Sequence, residues 1–223
     1  MARPVAPDLR PRVLEAATRV FAAHGFHGAS MAAIGAAAEV TKGGVYFHFR
    51  SKEELFFAAL DHWRREFRGA RRTALAAAGD GAAALRAGLA AHFAQHFARP
   101  DAGRLLRVLA AELRDRFTAA VREDARAEWR ALRADLRDAL TLGNRDGTLF
   151  TPDPVVSAFL LAGAAQGVID QWLTAPADVA AFCDPDGLAE GLVAPYGTGR
   201  SAGARAATDD AADDAMREFR PPL

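Results

Sequence analysis

Apolar side chains recur along the chain at the three- and four-residue spacing of helices. Val13, Leu14, Ala17, Val20 and Phe21 form one such face, with Pro11 suited to its first turn and Gly25 to its stop. After Phe26 the stretch "HGAS" makes a turn, and Ser30 stands as the N-cap of a short second helix carrying Met31, Ile34 and Ala38. Thr41 is placed to cap the next segment, "KGGVYFHF". Ser51 and Glu54 then form the capping-box pattern that opens a helix with Leu55, Phe56, Ala59, Leu60, Trp63 and Phe67.

Helical spacing resumes after Gly79 and Gly81 with Leu85, Leu89, Phe93 and Phe97, and stops at Pro100. Leu105, Leu106, Leu109 and Leu113 make a further helix. Phe117, Val121, Ala125, Trp129, Leu132, Leu136 and Leu140 make a long amphipathic one. "GNRDGTLFTPDP" predicts a loop ended by Pro154, which starts a helix over Pro154–Thr174 with no charge before Asp170. A helix so apolar is expected to be covered on nearly all sides. A short helix follows at Asp186–Val193. From Tyr196 the chain is rich in Gly, Ala and Asp, has little to bury, and is expected to be disordered. The expected fold class is all-α, with domains at 1–52 and 53–195 and a tail at 196–223.

Composition sharpens this picture in two ways. The 223 residues can bury a substantial core, and the formal net charge is zero, so the whole chain has no electrostatic preference for nucleic acid. Its first 52 residues are nevertheless basic: Arg3, Arg10, Arg12, Arg19, Lys42, Arg50 and Lys52 stand against Asp8, Glu15 and Glu39. The single cysteine, Cys183, cannot form an internal disulfide, and "MARPVAPDLRPR" has no apolar signal region. The uncharged run between Asp153 and Asp170 falls short of the ~20 residues of a membrane span. The expectation is a cytoplasmic protein without a membrane partner.

The segment "VTKGGVYFHF" holds the candidate chemistry. Adjacent Gly43 and Gly44 each cost roughly 1 kcal/mol against Ala in a helix interior, so helix stability does not explain them. Two short helices joined by a tight turn make a helix-turn-helix, whose second helix enters the major groove. Small residues there allow close backbone approach, and free N–H groups, Thr41 and Lys42 favour phosphate. Val45 and Phe49 read as inward packing, and Tyr46 and His48 as outward donors.

From Val13 to Leu60 the chain resembles the DNA-binding domain of the tetracycline-repressor (TetR) family of bacterial regulators. The spacing of Phe21 with Gly25-Phe26, the Ile34 helix, and "VTKGGVYFHF" running into "SKEEL" carry the resemblance. It implies that Thr41, Lys42, Gly43 and Tyr46 contact bases or phosphates, as do Ser30, His48 and Lys52, with Gly44 beside them. Glu39 departs from the family's usual turn glycine, and an altered turn geometry is expected there. Over the remainder the resemblance implies a helical bundle that binds a small, largely apolar effector and forms a homodimer on a palindromic double-stranded operator. The implied function is a ligand-responsive repressor; a constitutive DNA binder without effector and an enzyme are the alternatives.

Candidate pocket residues are His92, Phe93, His96, Leu109, Glu112, Trp129, Phe159 and Gln166. Candidate dimer-interface residues are Phe159, Gly163, Gly167 and Asp170. His92 and His96 also have the i, i+4 spacing of a metal pair, but no third ligand stands near them, and a structural or pocket-lining role is expected. No cofactor and no metal are expected. No nucleophile elbow, phosphate loop or dinucleotide fingerprint is present, and each of the four serines has a capping, helical or tail explanation.

Overall fold

Side-chain caps set most of the helix starts. In the computed structural model, which describes residues 9–112 and 120–198 without the side chains at 106, 109–111 and 120–125, Ser30, Thr41, Ser51, Asp80, Asp153 and Asp184 each accept a hydrogen bond from a backbone N–H of the helix they precede. The helices are α1 (Leu9–Gly28), α2 (Met31–Ala37), α3 (Lys42–His48), α4 (Lys52–Ala76), α5 (Gly81–Ala98), α6 (Pro100–Glu112), α7 (Ala120–Asp146), α8 (Pro154–Thr174), α9 (Pro176–Val179) and α10 (Pro185–Val193). Among the described residues there is no strand, only an isolated antiparallel bridge between Leu149 and Gly197. Leu113, Phe117 and most of the expected tail lie outside the described residues, and the side chains of Leu106, Leu109, Val121 and Ala125 lie outside those described.

Two hydrophobic cores result. The first joins α1–α3 to the first half of α4 and includes Phe21, Phe26, Ile34, Val45, Phe49, Phe56 and Trp63, together with Ala102 and Leu105 of α6. Inside it Trp63 Nε1 donates to Thr18 Oγ1 at 2.8 Å, which fixes α4 across α1. The second packs α5, α7, α8 and α10 through Leu85, Leu89, Phe93, Leu136, Leu140, Ala162, Ala165 and Ile169. Helix α4, 25 residues long, belongs to both: Leu55 to Phe67 lie in the first core, and Leu75 packs against the second.

Several expectations change. The "GNRD" of the expected loop is the last turn of α7, because Asn144 exchanges two hydrogen bonds with the backbone of Thr151 and Asp146 Oδ2 accepts from Gly81 N. The first residues of the expected tail are held in place: Phe150 N donates to Tyr196 O, and Thr198 Oγ1 donates to Gly147 O. Helix α8 is covered within the chain on one face only, Ala158, Leu161, Ala162, Ala165 and Ile169. Val155, Val156, Phe159 and Leu160 remain exposed. At 21 residues α8 is also long and apolar enough to cross a bilayer by length and composition, contrary to the estimate from its uncharged run; here one face is a core face of the bundle.

Two histidines of α5 are buried between α4 and α7. Burial, and then the charges of His96 and Arg71, hold His92 well below the ordinary histidine range, and burial also lowers His96. The folded chain therefore binds fewer protons than the unfolded chain once the pH falls below the ordinary histidine value of about 6.5. The stability contributed by keeping both rings neutral should be present above that pH and be lost as the pH falls through it. Thermal melts of the wild-type chain and of His92→Phe, taken between pH 8 and pH 5, check this. The wild-type midpoint should fall more steeply than that of the variant.

Candidate nucleic-acid interface

Helices α2 and α3 meet closely because Gly35 has no side chain: a Cβ there would stand 3.0 Å from Val40 O and 3.3 Å from a Val45 methyl. The backbone between them turns through Val40 N donating to Gly35 O at 2.9 Å. Glu39 occupies the left-handed region, φ 56°, where a glycine would be unstrained. The turn thus keeps the conformation expected of glycine, and the expected alteration of its geometry is absent. Arg12 Nη2 donates to the Glu39 carboxylate and to Ala38 O, both at 3.0 Å, and so ties α1 to this turn.

Helix α3 presents one face outward. Val45 and Phe49 are fully buried, and Arg10 lies 5.0 Å over the Phe49 ring. Thr41, Lys42 and Gly43 are exposed, and Gly44 and His48 are half-buried. Thr41 Oγ1 accepts from Gly44 N at 3.0 Å. Neither Gly43 nor Gly44 is required by packing inside the chain, since the nearest atoms to an added Cβ lie 3.8 Å and 3.5 Å away. Lys42 Nζ sits 5.8 Å from the centre of the Tyr46 ring.

Phe47 was missed by the sequence reasoning and is the most prominent feature of this face. It is 86 % exposed, beside Tyr46 at 44 %. The signal was available: with Val45 and Phe49 inward at i, i+4, residue 47 must lie on the opposite side of the helix. An exposed phenyl on a groove-sized helix suits apolar contact with thymine methyls.

Like Thr41, Ser30 and Lys52 among the expected contact residues also have structural duties. Ser30 Oγ accepts from Ala33 N, capping α2. Lys52 Nζ donates to Ala29 O at 2.9 Å, reaches His27 O at 3.5 Å and lies 4.6 Å over the Phe26 ring, so much of its capacity is taken up in fixing the α1–α2 turn.

The expected pocket is only partly assembled. His92, Phe93 and His96 are buried together, and Trp129 is half-buried against the same core. Phe159 is 61 % exposed and lines an open cleft with Val155, Val156, Arg130, Arg133 and Arg137, apart from the buried histidines. Gln166 donates to Asp170 at 3.0 Å along the exposed side of α8. Glu112 is also displaced from the pocket: its Oε2 accepts from His27 N at 3.0 Å. Gly25, at φ 70°, leaves the space that the Glu112 carboxylate fills; a Cβ there would overlap it. Arg99, at the junction of α5 and α6, makes a second link to α1, with Nη2 3.1 Å from Glu15, and its guanidinium lies 3.7 Å over Trp63 of α4. Of the expected dimer residues, Phe159, Gly163 and Asp170 are exposed and Gly167 is half-buried.

Comparison with known proteins agrees with this geometry. Residues 13–59 match the family model described as bacterial regulatory proteins, tetR family. The HTH-type transcriptional regulator UidR of Escherichia coli K12 is 44 % identical over 55 residues, which cover 25 % of this chain and 28 % of that protein. The chain therefore matches well under a third of the curated relative's length. Among solved structures, the SmeT–triclosan complex has a TM-score of 0.68 at 23 % identity, covering 85 % of this chain and 91 % of that one. AibR in complex with isovaleryl coenzyme A and operator DNA has a TM-score of 0.63 at 23 % identity, covering 85 % and 98 %. At this identity the solved structures show a shared fold that extends over both cores.

Proposed function

By its residue 13–59 domain the chain belongs to the tetracycline-repressor family of bacterial regulators, and from that premise we propose that it is a ligand-responsive repressor, cytoplasmic and dimeric, which releases a palindromic operator on binding a small molecule. The observation that carries the reading is α4. One continuous helix packs its first half in the core that holds the recognition helix and reaches the second, separate core with Leu75. A change in the second core is thereby linked to the orientation of the first, with the Glu112–His27 contact from α6 and the Arg99–Glu15 contact from the α5–α6 junction as parallel links. An effector must favour the conformation that cannot bind DNA, since a ligand with equal affinity for both shifts nothing. That structural relatives have been crystallised with triclosan, or with isovaleryl coenzyme A and operator DNA, supports the reading.

A mobility shift of the purified chain on its own upstream DNA, repeated with a broad panel of small molecules, tests it. Failure to retard that DNA, or retardation unaffected by every compound, would count against the two halves of the proposal separately.

On the recognition helix, Lys42→Ala and Tyr46→Ala should weaken operator binding without unfolding the protein, since both side chains are exposed. Loss of a phosphate contact should also flatten the salt dependence by about one counterion per contact. Phe47→Ala should instead leave the salt slope unchanged and relax discrimination at an A·T pair, by about 1–3 kcal/mol if one specifying contact is lost. Fluorescence anisotropy over a salt series, with operators mutated one pair at a time, separates the three variants.

A further inference from the structure

Between α4, α5 and α7 lies a polar cluster for which DNA binding has no use. His92 and His96 are one turn apart on α5, with ring centres 4.5 Å apart. His96 Nδ1 lies 2.8 Å from His92 O, whereas neither ring nitrogen of His92 has a hydrogen-bond partner. Such orphaned groups are costly when buried and are met by a partner once one is supplied. From α4, Arg71 is 1 % exposed; its Nε donates to Asp135 Oδ2 at 2.9 Å, and its Nη2, also 2.9 Å from that oxygen, makes no aligned hydrogen bond. Arg72 Nε lies 3.5 Å from the other Asp135 oxygen, and Arg68 bonds Glu128.

Among the described residues the carboxylates of this cluster are shared, and Arg72 reaches it from solvent, at 63 % exposure. Three guanidiniums of α4 share the two carboxylates of Glu128 and Asp135, beside two buried imidazoles. From the same end of α5 a series of rings runs on: Phe93 beside His92, then Phe97 at 5.9 Å from Phe93, then Trp172 at 5.1 Å from Phe97. The Nη2 of Arg71, without an aligned hydrogen bond, and the unpartnered ring of His92 stand at the head of an apolar track.

Resting on the reading that the chain is ligand-responsive, we propose that its effector is an amphiphilic monocarboxylic acid whose carboxylate is held by His92 and Arg71 and whose apolar body lies along Phe93, Phe97 and Trp172. The carboxylate supplies acceptors for the unaligned Nη2 of Arg71 and for an N–H of His92. Access requires α4 to part from α5 and α7, because His92 is only 6 % exposed. Occupation of the site is thereby coupled to the helix that carries the recognition domain. Among the described residues His96, Arg71, Arg68, Arg72, Asp135 and Glu128 are the charged and titratable groups around it; burial, and then His96 and Arg71, keep His92 neutral in the free chain. A carboxylate beside the ring reverses that balance, so binding should take up a proton and tighten as the pH falls from 8 towards 6.

The test is isothermal titration calorimetry of the full-length chain with octanoate, octanol and octylamine, each in phosphate and in Tris at pH 7. Octanoate should bind at least tenfold more tightly than octanol or octylamine, with a buffer-dependent enthalpy that reports proton uptake. His92→Phe should lose both the preference and the buffer dependence, and His92→Gln, which keeps a donor, should retain part of the preference without proton uptake. Octanol or octylamine binding as tightly as octanoate would overturn this inference while leaving a ligand-responsive regulator intact. So would octanoate binding to His92→Phe with unchanged affinity and buffer dependence. If none of the three binds, the carboxylate inference fails; the broader reading fails only if the panel in the mobility shift is also silent.

Discussion

Asp135→Ala should cost about 3–5 kcal/mol of folding stability, the range found when one partner of a buried ion pair is removed. Its carboxylate stands 2.9 Å from both Nε and Nη2 of Arg71, and Arg71 is 1 % exposed. Without Asp135 the nearest carboxylate contact of that guanidinium is Glu128 Oε1 at 3.9 Å. The charge cannot be shed by losing a proton, because arginine stays protonated at any pH the fold survives. The loss is therefore a desolvated cation left without its main partner between α4 and α7. Replacing both partners, as in Arg71→Met with Asp135→Leu, should recover most of that stability, since an apolar pair of similar size removes the penalty together with the interaction. Urea unfolding of the two single variants and the double variant measures the coupling. A single-variant loss under about 1 kcal/mol would mean that water reaches Arg71 and that the cluster is not a buried one.

The same cluster marks where the sequence stops being informative. Caps at Ser30, Thr41 and Ser51 act on residues three positions away, so the helix-turn-helix was legible from a local pattern, and so was the break at Gly25. The partner of Glu112 is 85 residues away in sequence, at His27, and no spacing rule connects them. A carboxylate among leucines on a helix looks like a polar group in a pocket until the fold places the end of α6 against the α1–α2 turn. Arg71 and Asp135, 64 residues apart, pair in the same non-local way. Phe159 and Gln166 lie apart from the buried histidines for a different reason. On a helix with hardly any charge the period of hydrophobicity carries no phase, so the sequence could not say which side of α8 faces α5 and α7. The extension of α7 through Asn144 depends on bonds to Thr151 that replace ordinary turn chemistry.

The outer side of α8 leads to the second large effect: Gly163→Leu or Gly167→Leu should turn the protein into a stable monomer that binds its operator at least a hundredfold more weakly. Val155, Val156, Phe159 and Leu160 are 51–64 % exposed on this side, an apolar face of the kind that marks an interaction surface. Gly163 and Gly167 continue it, and no atom of the chain lies within 4 Å of a Cβ added at either. A leucine there therefore clashes with nothing in the protomer and should improve helix propensity by up to about 0.8 kcal/mol, so the variants should melt no lower than the wild type. A second α8 packed across a two-fold axis would instead meet the new side chain where two backbones now approach. The DNA argument needs that axis, because a single seven-residue recognition helix reads only a few base pairs, whereas paired helices about 34–36 Å apart read successive major grooves of a palindrome. Loss of the pair removes the gain from linking two weak half-site contacts, a factor on the order of a hundred or more. Helix α10, at nine residues, is too short to hold such an interface alone, and its buried residues Ala189 and Val193 face the second core of its own chain, which leaves α8 as the main contact. Sedimentation velocity of both variants, read beside anisotropy on full and half operators, decides the matter. Variants that remain dimeric would place the two-fold contact elsewhere on the bundle and leave the exposed face of α8 for another partner.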